Sequence, residues 1–273
     1  NDLIGWLVFL IATIVYFLTL EPTASWWDCG EYISTAYKLQ VGHPPGAPLF
    51  QMLGRFFSLF AFGDTSKVAL MINAMSALSS SFTILFLFWT ITLLARKFMM
   101  KGSEAENKSN QYAVLAAGVV GSLAYTFSDS FWFSAVEGEV YAMSSFFTAV
   151  VFWAILRWEQ VADEPHNYRW LIFIAYLIGL SIGVHLLNLL ALPAIVYVFY
   201  FKNFKPTTKG FILSGLVSVA ILGFIMSFLI PQIVNLASKF ELLFVNSLGM
   251  PFNTGTIIYF ILLISAIVFG LYY

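Results

Sequence analysis

The 273-residue chain is 60% hydrophobic, 18% aromatic and 10% charged, with a formal net charge of -1 and a mean hydropathy of +0.86. Soluble domains carry about 25% charged residues, so a soluble fold is excluded. No basic stripe interleaved with aromatics is present, so nothing points to a nucleic-acid partner. The single cysteine, Cys29, rules out an internal disulfide framework and any multi-cysteine metal site.

Apolar runs occupy about 3–20, 68–95, 112–127, 140–158, 170–201, 211–230 and 256–273. They predict transmembrane helices, because a helix satisfies its own backbone in lipid. The first is long enough to span and is followed by no small-residue cleavage site, so it reads as a retained helix. The run 170–201 is too long for one span, about 48 Å against about 30 Å of hydrocarbon. Two short helices meeting near His185–Asn188 resolve it, with Pro193 in the second.

Lysine and arginine placement agrees. With the N-terminus cytoplasmic and 170–201 crossing twice, nine basic residues lie inside: Arg96, Lys97, Lys101, Lys108, Arg157, Arg169, Lys202, Lys205 and Lys209. Four lie outside: Lys38, Arg55, Lys67 and Lys239. A single crossing would give 7 to 6, so the positive-inside rule favours eight spans. The expected fold is an all-α polytopic membrane protein with a long first outer loop, 21–67, and a second at 128–140. The chain opens on Asn1 and stops inside an apolar run at Tyr273, so a further C-terminal part is expected.

The first outer loop holds the densest chemistry. Trp26-Trp27-Asp28-Cys29-Gly30-Glu31 leads into a predicted short helix over Tyr32–Gln40, which Gly42-His43-Pro44-Pro45-Gly46 breaks. Pro48–Phe62 then predicts a surface helix with Gln51, Arg55 and Ser58 on one face and apolar residues over the rest. A packing helix buried among the spans is the alternative. Asp28 and Glu31, three apart, face the same way at a helix start, as a substrate-directed pair or as a capping box. In Glu137-Gly138-Glu139 at least one acid is expected to be functional. Residues two apart do not share a helix face, so at most one is expected to join Asp28; charge complementing a helix N-terminus is the alternative. His185 and Asn188 lie at the break in 170–201, where the histidine can meet a phosphate at headgroup level or hydrogen-bond a neighbouring helix. His43 can orient its loop or touch a phosphate. Arg55 is the best-placed cation for a phosphate or pyrophosphate, or snorkels to headgroups. Cys29 reads as a small residue in a tight turn, and the histidines have no metal-ligand spacing.

The stretches 26–31, Gly42–Leu49, Glu137–Tyr141 and Gly183–Pro193 resemble a family of multispan membrane proteins related to an animal transmembrane protein O-mannosyltransferase. The resemblance runs over essentially the whole chain. It implies the GT-C glycosyltransferase fold and a polyprenyl-phosphate sugar donor. It also implies an acidic residue of the first loop acting on the acceptor, a role that falls on Asp28, with Glu31 at the acidic partner position. His43, Glu137, Glu139 and His185 are implied to lie in or near the site. Members of the family usually carry further spans and a C-terminal soluble part. Mannose as the sugar comes from the resemblance alone, as does the O-linked protein acceptor.

The expectation is therefore transfer of a sugar from a polyprenyl-phosphate donor to Ser/Thr hydroxyls of proteins, with inversion. It would occur on the periplasmic face of a bacterial inner membrane or the lumenal face of the endoplasmic reticulum. Asp28 and Glu31 form the catalytic pair, and His43, Arg55, Glu137, Glu139, His185 and Asn188 the substrate-binding set. Membrane lipid is the third partner. No cofactor is required; the spread of acids leaves room for a divalent metal without calling for one. The alternative is a transporter or lipid-linked-sugar flippase, whose sites lie near the bilayer midplane; a non-catalytic scaffold is a third reading.

Overall fold

The computed structural model describes residues 1–99 and 107–272, so Lys101 of the basic set lies outside the described residues. Those residues form an all-helical protein in two compact units, Asn1–Phe204 and Lys205–Tyr273.

In the first unit, α1 (Asp2–Leu18) leads through the long loop to α2 (Cys29–Lys38) and α3 (Pro48–Ser58). α4 (Val68–Met99) is the central element and packs against α1, α3, α5 (Lys108–Thr126) and α7 (Val140–Val161). Asn73, Ser76, Ser80 and Ser81 on α4 are buried; small side chains of this kind let helices approach closely without a large hydrophobic driving force. Gly118 of α5 shows how close: a Cβ there would lie 2.5 Å from Thr92 Cγ2 and 2.8 Å from Phe88. Beneath the loops, Val8, Ala12, Tyr16, Ala77, Ile84, Phe88, Phe131 and Ala135 form a buried core. The Tyr16 hydroxyl donates to the carbonyl of Thr126 at 3.0 Å, which satisfies it in that apolar setting.

The 128–140 link contains a helix that the apolar runs do not reveal, α6 (Asp129–Ala135), bent 69° from α5. The break in 170–201 lies where expected. α8 (Tyr168–Ile182) ends, His185 caps a 3₁₀ turn over Leu186–Ala191 by accepting from Leu187 N–H, and α9 (Leu192–Asn203) follows with Pro193 in its first turn. At the far end of α7, Lys97 pairs with Glu159, and Lys202 pairs with Asp163 at 2.6 Å. Helix α7 separates this end from Glu139 by its full 22 residues, about 33 Å.

In the second unit, α10 (Thr208–Phe224) does not stop near 230. It continues through a π-turn into α11 (Ile230–Leu242), and α12 (Thr254–Tyr272) follows. Glu241 holds the start of α12 by accepting from Asn253 N–H at 2.6 Å and Thr256 N–H at 2.9 Å.

Among the described residues, Thr65–Met99, Val140–Val161, Leu186–Asn203 and Thr208–Ser247 are long and apolar enough to cross a membrane. The bent pair α5–α6 makes a fifth, and α1, α8 and Thr254–Gly270 are shorter apolar helices. The chain is a polytopic integral membrane protein.

Candidate active site

Asp28 sits just before α2, and its side chain makes no cap hydrogen bond. Glu31 does not reach back to complete a capping box. Its Oε1 accepts from His43 N–H at 2.6 Å, and its Oε2 lies 3.1 Å from His43 Nδ1. The capping alternative is therefore not realised, because Glu31 is committed to the turn twelve residues on. Gly42 permits this: a Cβ there would lie 3.1 Å from both Glu31 Oε1 and Gln51 Nε2. The turn closes with Gly46 at φ +78°, a conformation favourable for glycine.

With Nδ1 held by Glu31, the other ring nitrogen of His43 faces Asp28, Nε2 to Oδ2 at 4.0 Å. Tyr32 packs its ring on His43 at 5.8 Å between centroids. The hydrogen bond from the His43 backbone N–H, reinforced by its ring, holds the Glu31 carboxyl below the usual carboxylate range.

Glu137 and Glu139 join Asp28 in a cavity of about 380 Å³, lined also by Trp27, Phe133, Ser134 and Tyr141. The expectation that at most one of them would do so is overturned. It assumed helical periodicity, whereas 137–139 is a tight turn with Glu139 N–H bonded to the Glu137 carbonyl at 3.0 Å. Gly138 presses that turn onto the molecule: a Cβ there would lie 2.8 Å from Asn73 Oδ1 and 3.1 Å from Ile33 Cγ1. Asn73 in turn donates to the carbonyls of Glu21 and Thr23 at 2.6 and 2.9 Å, and Glu21 N–H bonds the carbonyl of Val136 at 3.1 Å. Three distant stretches are thereby stitched together.

Both glutamates are buried, 3% and 7% exposed. Burial pushes the Glu137 carboxyl up, against hydrogen bonds from Ser25 and Cys29. Burial, then the charges of Glu137 and Asp28, pushes Glu139 up to about 7. Cys29, read from sequence as a small turn residue, is fully buried beside them. Burial and the two glutamates push its thiol up to about 12.

The remaining expected residues divide. The His185 ring lies tilted against Tyr141, with ring centroids 5.6 Å apart, its pKa lowered by burial. Tyr141 also lines a larger cavity of about 620 Å³ between α4, α5 and α7, walled by Leu87, Ile91 and Phe152 with Thr83, Thr90 and Thr148. Asn188 is buried against α7, its Oδ1 accepting from Ser144 and Thr148. Arg55 lies outside the Asp28 cavity. Its guanidinium donates to the Tyr37 carbonyl at 3.0 Å and rests on the Tyr37 ring. Tyr141 lines the cavity and Cys29 lies against its glutamates, although the sequence reading placed neither in the site. Tyr141 closes the Glu137–Tyr141 stretch that carries the resemblance, and that is the signal that could have found it.

A family model described as the protein O-mannosyl-transferase TMEM260 N-terminal domain matches residues 28–208, from Asp28 to beyond Asn188. The protein O-mannosyl-transferase tmem260 of Dictyostelium discoideum is 28% identical over 240 residues, covering 83% of this chain and 27% of that protein. The mouse (Mus musculus) protein O-mannosyl-transferase TMEM260 is 30% identical over 176 residues, covering 64% of this chain and 22% of that protein. The chain thus spans about a quarter of the length of these curated relatives. No solved structure matches it significantly. With the match embracing Asp28, Glu137 and Glu139 of the cavity, the chain belongs to the TMEM260 N-terminal domain family.

Proposed function

We propose that this chain is the membrane-embedded catalytic part of a GT-C-type protein O-mannosyltransferase, moving mannose from a polyprenyl-phosphate donor to Ser/Thr hydroxyls on the periplasmic or lumenal face. The observation that carries this reading is the cavity that Asp28 shares with Glu137 and Glu139, beside a histidine pinned by Glu31.

In this reading Asp28 takes the proton from the acceptor hydroxyl as that oxygen attacks the anomeric carbon. The carbon–oxygen bond to the lipid phosphate breaks on the opposite face, and configuration inverts. Phosphate is a good leaving group, so no strong general acid is needed. Glu31 acts as a positioning residue that fixes His43 through both its backbone and its ring. His43 Nε2, facing Asp28, is placed to share the developing positive charge or to meet phosphate oxygen. Tyr141 joins the acidic cavity to the larger apolar one, which suits a donor with a charged head and a hydrocarbon tail.

The test is transfer by the full-length protein in membranes supplied with polyprenyl-phosphate mannose and a Ser/Thr-rich peptide. Asp28→Asn is expected to fold and to lose on the order of a hundred- to ten-thousand-fold in rate. Equal transfer by both would remove Asp28 as the base. No transfer from any lipid-linked sugar would overturn the proposed activity.

A further inference from the structure

The mechanism above leaves Cys29 unused. Its Sγ and one carboxylate oxygen from each of Glu137 and Glu139 lie within 4.8 Å of one another, and all three residues are buried. Hydrogen bonds from Ser25 and the Cys29 thiol reach the Glu137 carboxyl, but two buried carboxylates held together remain costly. Among the described residues neither has an ion-pair partner. A second observation is independent of the clustering: Glu137, 97% buried, keeps its Oε2 without any hydrogen-bond partner. Such an atom in a native protein calls for an explanation, and an ion is one.

We propose that Cys29, Glu137 and Glu139 form a three-ligand site for a zinc ion, with the fourth position open to the Asp28 cavity. The donor set selects the metal. A thiolate disfavours magnesium and calcium, which take hard oxygen ligands, and suits zinc, which accepts sulfur and carboxylate together. Bonds of about 2.0–2.3 Å in a tetrahedron set ligands roughly 3.5 Å apart. Side-chain adjustment of about 1 Å therefore closes the site. Cys29 binds as thiolate and releases its proton to solvent. The three residues arrive from two segments, the start of α2 and the 137–139 turn, which Gly138 and Asn73 clamp together. Three protein ligands and an open position describe a working zinc site rather than a closed structural one.

The other cluster of ligand-type groups, Asp28, Glu31 and His43, is also within 4.8 Å but is water-exposed, and Glu31 and His43 already satisfy each other. It serves as the internal comparison. If the proposed lipid-phosphate donor is correct, the open position would take one of its phosphate oxygens. That role rests on the proposed function, whereas the binding site itself does not.

The full-length protein in detergent, stripped by chelator, is titrated with zinc alone and, separately, with cobalt. One equivalent of zinc should bind, and cobalt should give the near-ultraviolet absorption of a thiolate–cobalt charge transfer. Cys29→Ser and Glu137→Gln should weaken zinc at least roughly tenfold, and Cys29→Ser should abolish the cobalt band. His43→Ala and Asp28→Asn should leave both unchanged, with folding of each variant checked by gel filtration. Failure to bind zinc, equal binding by Cys29→Ser, or loss of zinc in His43→Ala alone would each overturn the site. Zinc retained by an Asp28→Asn variant that no longer transfers sugar separates this result from that on the base.

Discussion

Glu31 binds one histidine twice, through backbone and ring, and this makes it a positioning residue with a particular signature. Glu31→Gln keeps an acceptor for the His43 N–H but can present an amide N–H to Nδ1, which turns the ring over to the other tautomer. Transfer should fall roughly a hundredfold through lost orientation, with the donor KM little changed and steady-state kinetics as the measurement. At this scale the sequence was legible where chemistry and spacing coincide. Asp28, Glu31 and His43 are named by residue type within sixteen positions, and the structure brings them together. It was not legible where chemistry depends on partners far along the chain. Cys29 reads as a small residue until Glu137 and Glu139 are placed beside it, more than a hundred positions away. Arg55 read as a free cation because nothing local announces that the Tyr37 carbonyl takes it.

The polar face of α3 turns inward. Gln51 and Ser58 are buried, while Met52 and Phe56, with Leu59 and Phe60 of the 3₁₀ turn that follows, are about half exposed or more. Such an inside-out helix suits an apolar exterior, and it explains why periodicity found the face correctly without telling which side it meets. Gly54 seats the helix on α2, where a Cβ would lie 2.9 Å from the Ala36 methyl. At the 137–139 turn, Gly138→Ala must displace Asn73 or Ile33, and a cost of about 1–3 kcal/mol is expected. Reduced thermal stability together with reduced transfer would confirm the clamp, whereas an unchanged melting temperature would refute it. Asp64 begins the turn leading into α4 by accepting from Ser66 N–H at 3.1 Å and its hydroxyl at 2.6 Å. The Ser66 hydroxyl, then Lys67, hold its carboxyl below the ordinary value. A depressed folded pKa stabilises above the unfolded value, about 3.9, and is lost as pH falls through the folded one. Melting curves of the native chain and Asp64→Asn should differ at neutral pH and converge in acid.

For the molecule as a whole, hydropathy located every long apolar helix and the break near His185, because both follow from composition and length. It missed α6 and the continuation of α10 into α11, since neither a seven-residue helix nor a π-turn leaves a hydropathy signature. The ion pairs of Lys97 and Lys202 gather at the end of α7 remote from the acids. If the chain crosses eight times as its basic residues lead one to expect, cysteines introduced at Ser66 and Glu164 should react with a membrane-impermeant reagent from opposite sides; labelling of both from one side would refute that expectation. The stitching of Glu21, Asn73 and Val136 has a further consequence for how the protein is made and lost. Helices form from neighbours, but Asp28 and Glu139 meet only after more than a hundred residues are looped back, and that closure costs entropy no local contact repays. The cavity should therefore be the last feature acquired and the first surrendered. Under mild denaturant, sugar transfer should vanish while circular dichroism still reports an intact complement of helices.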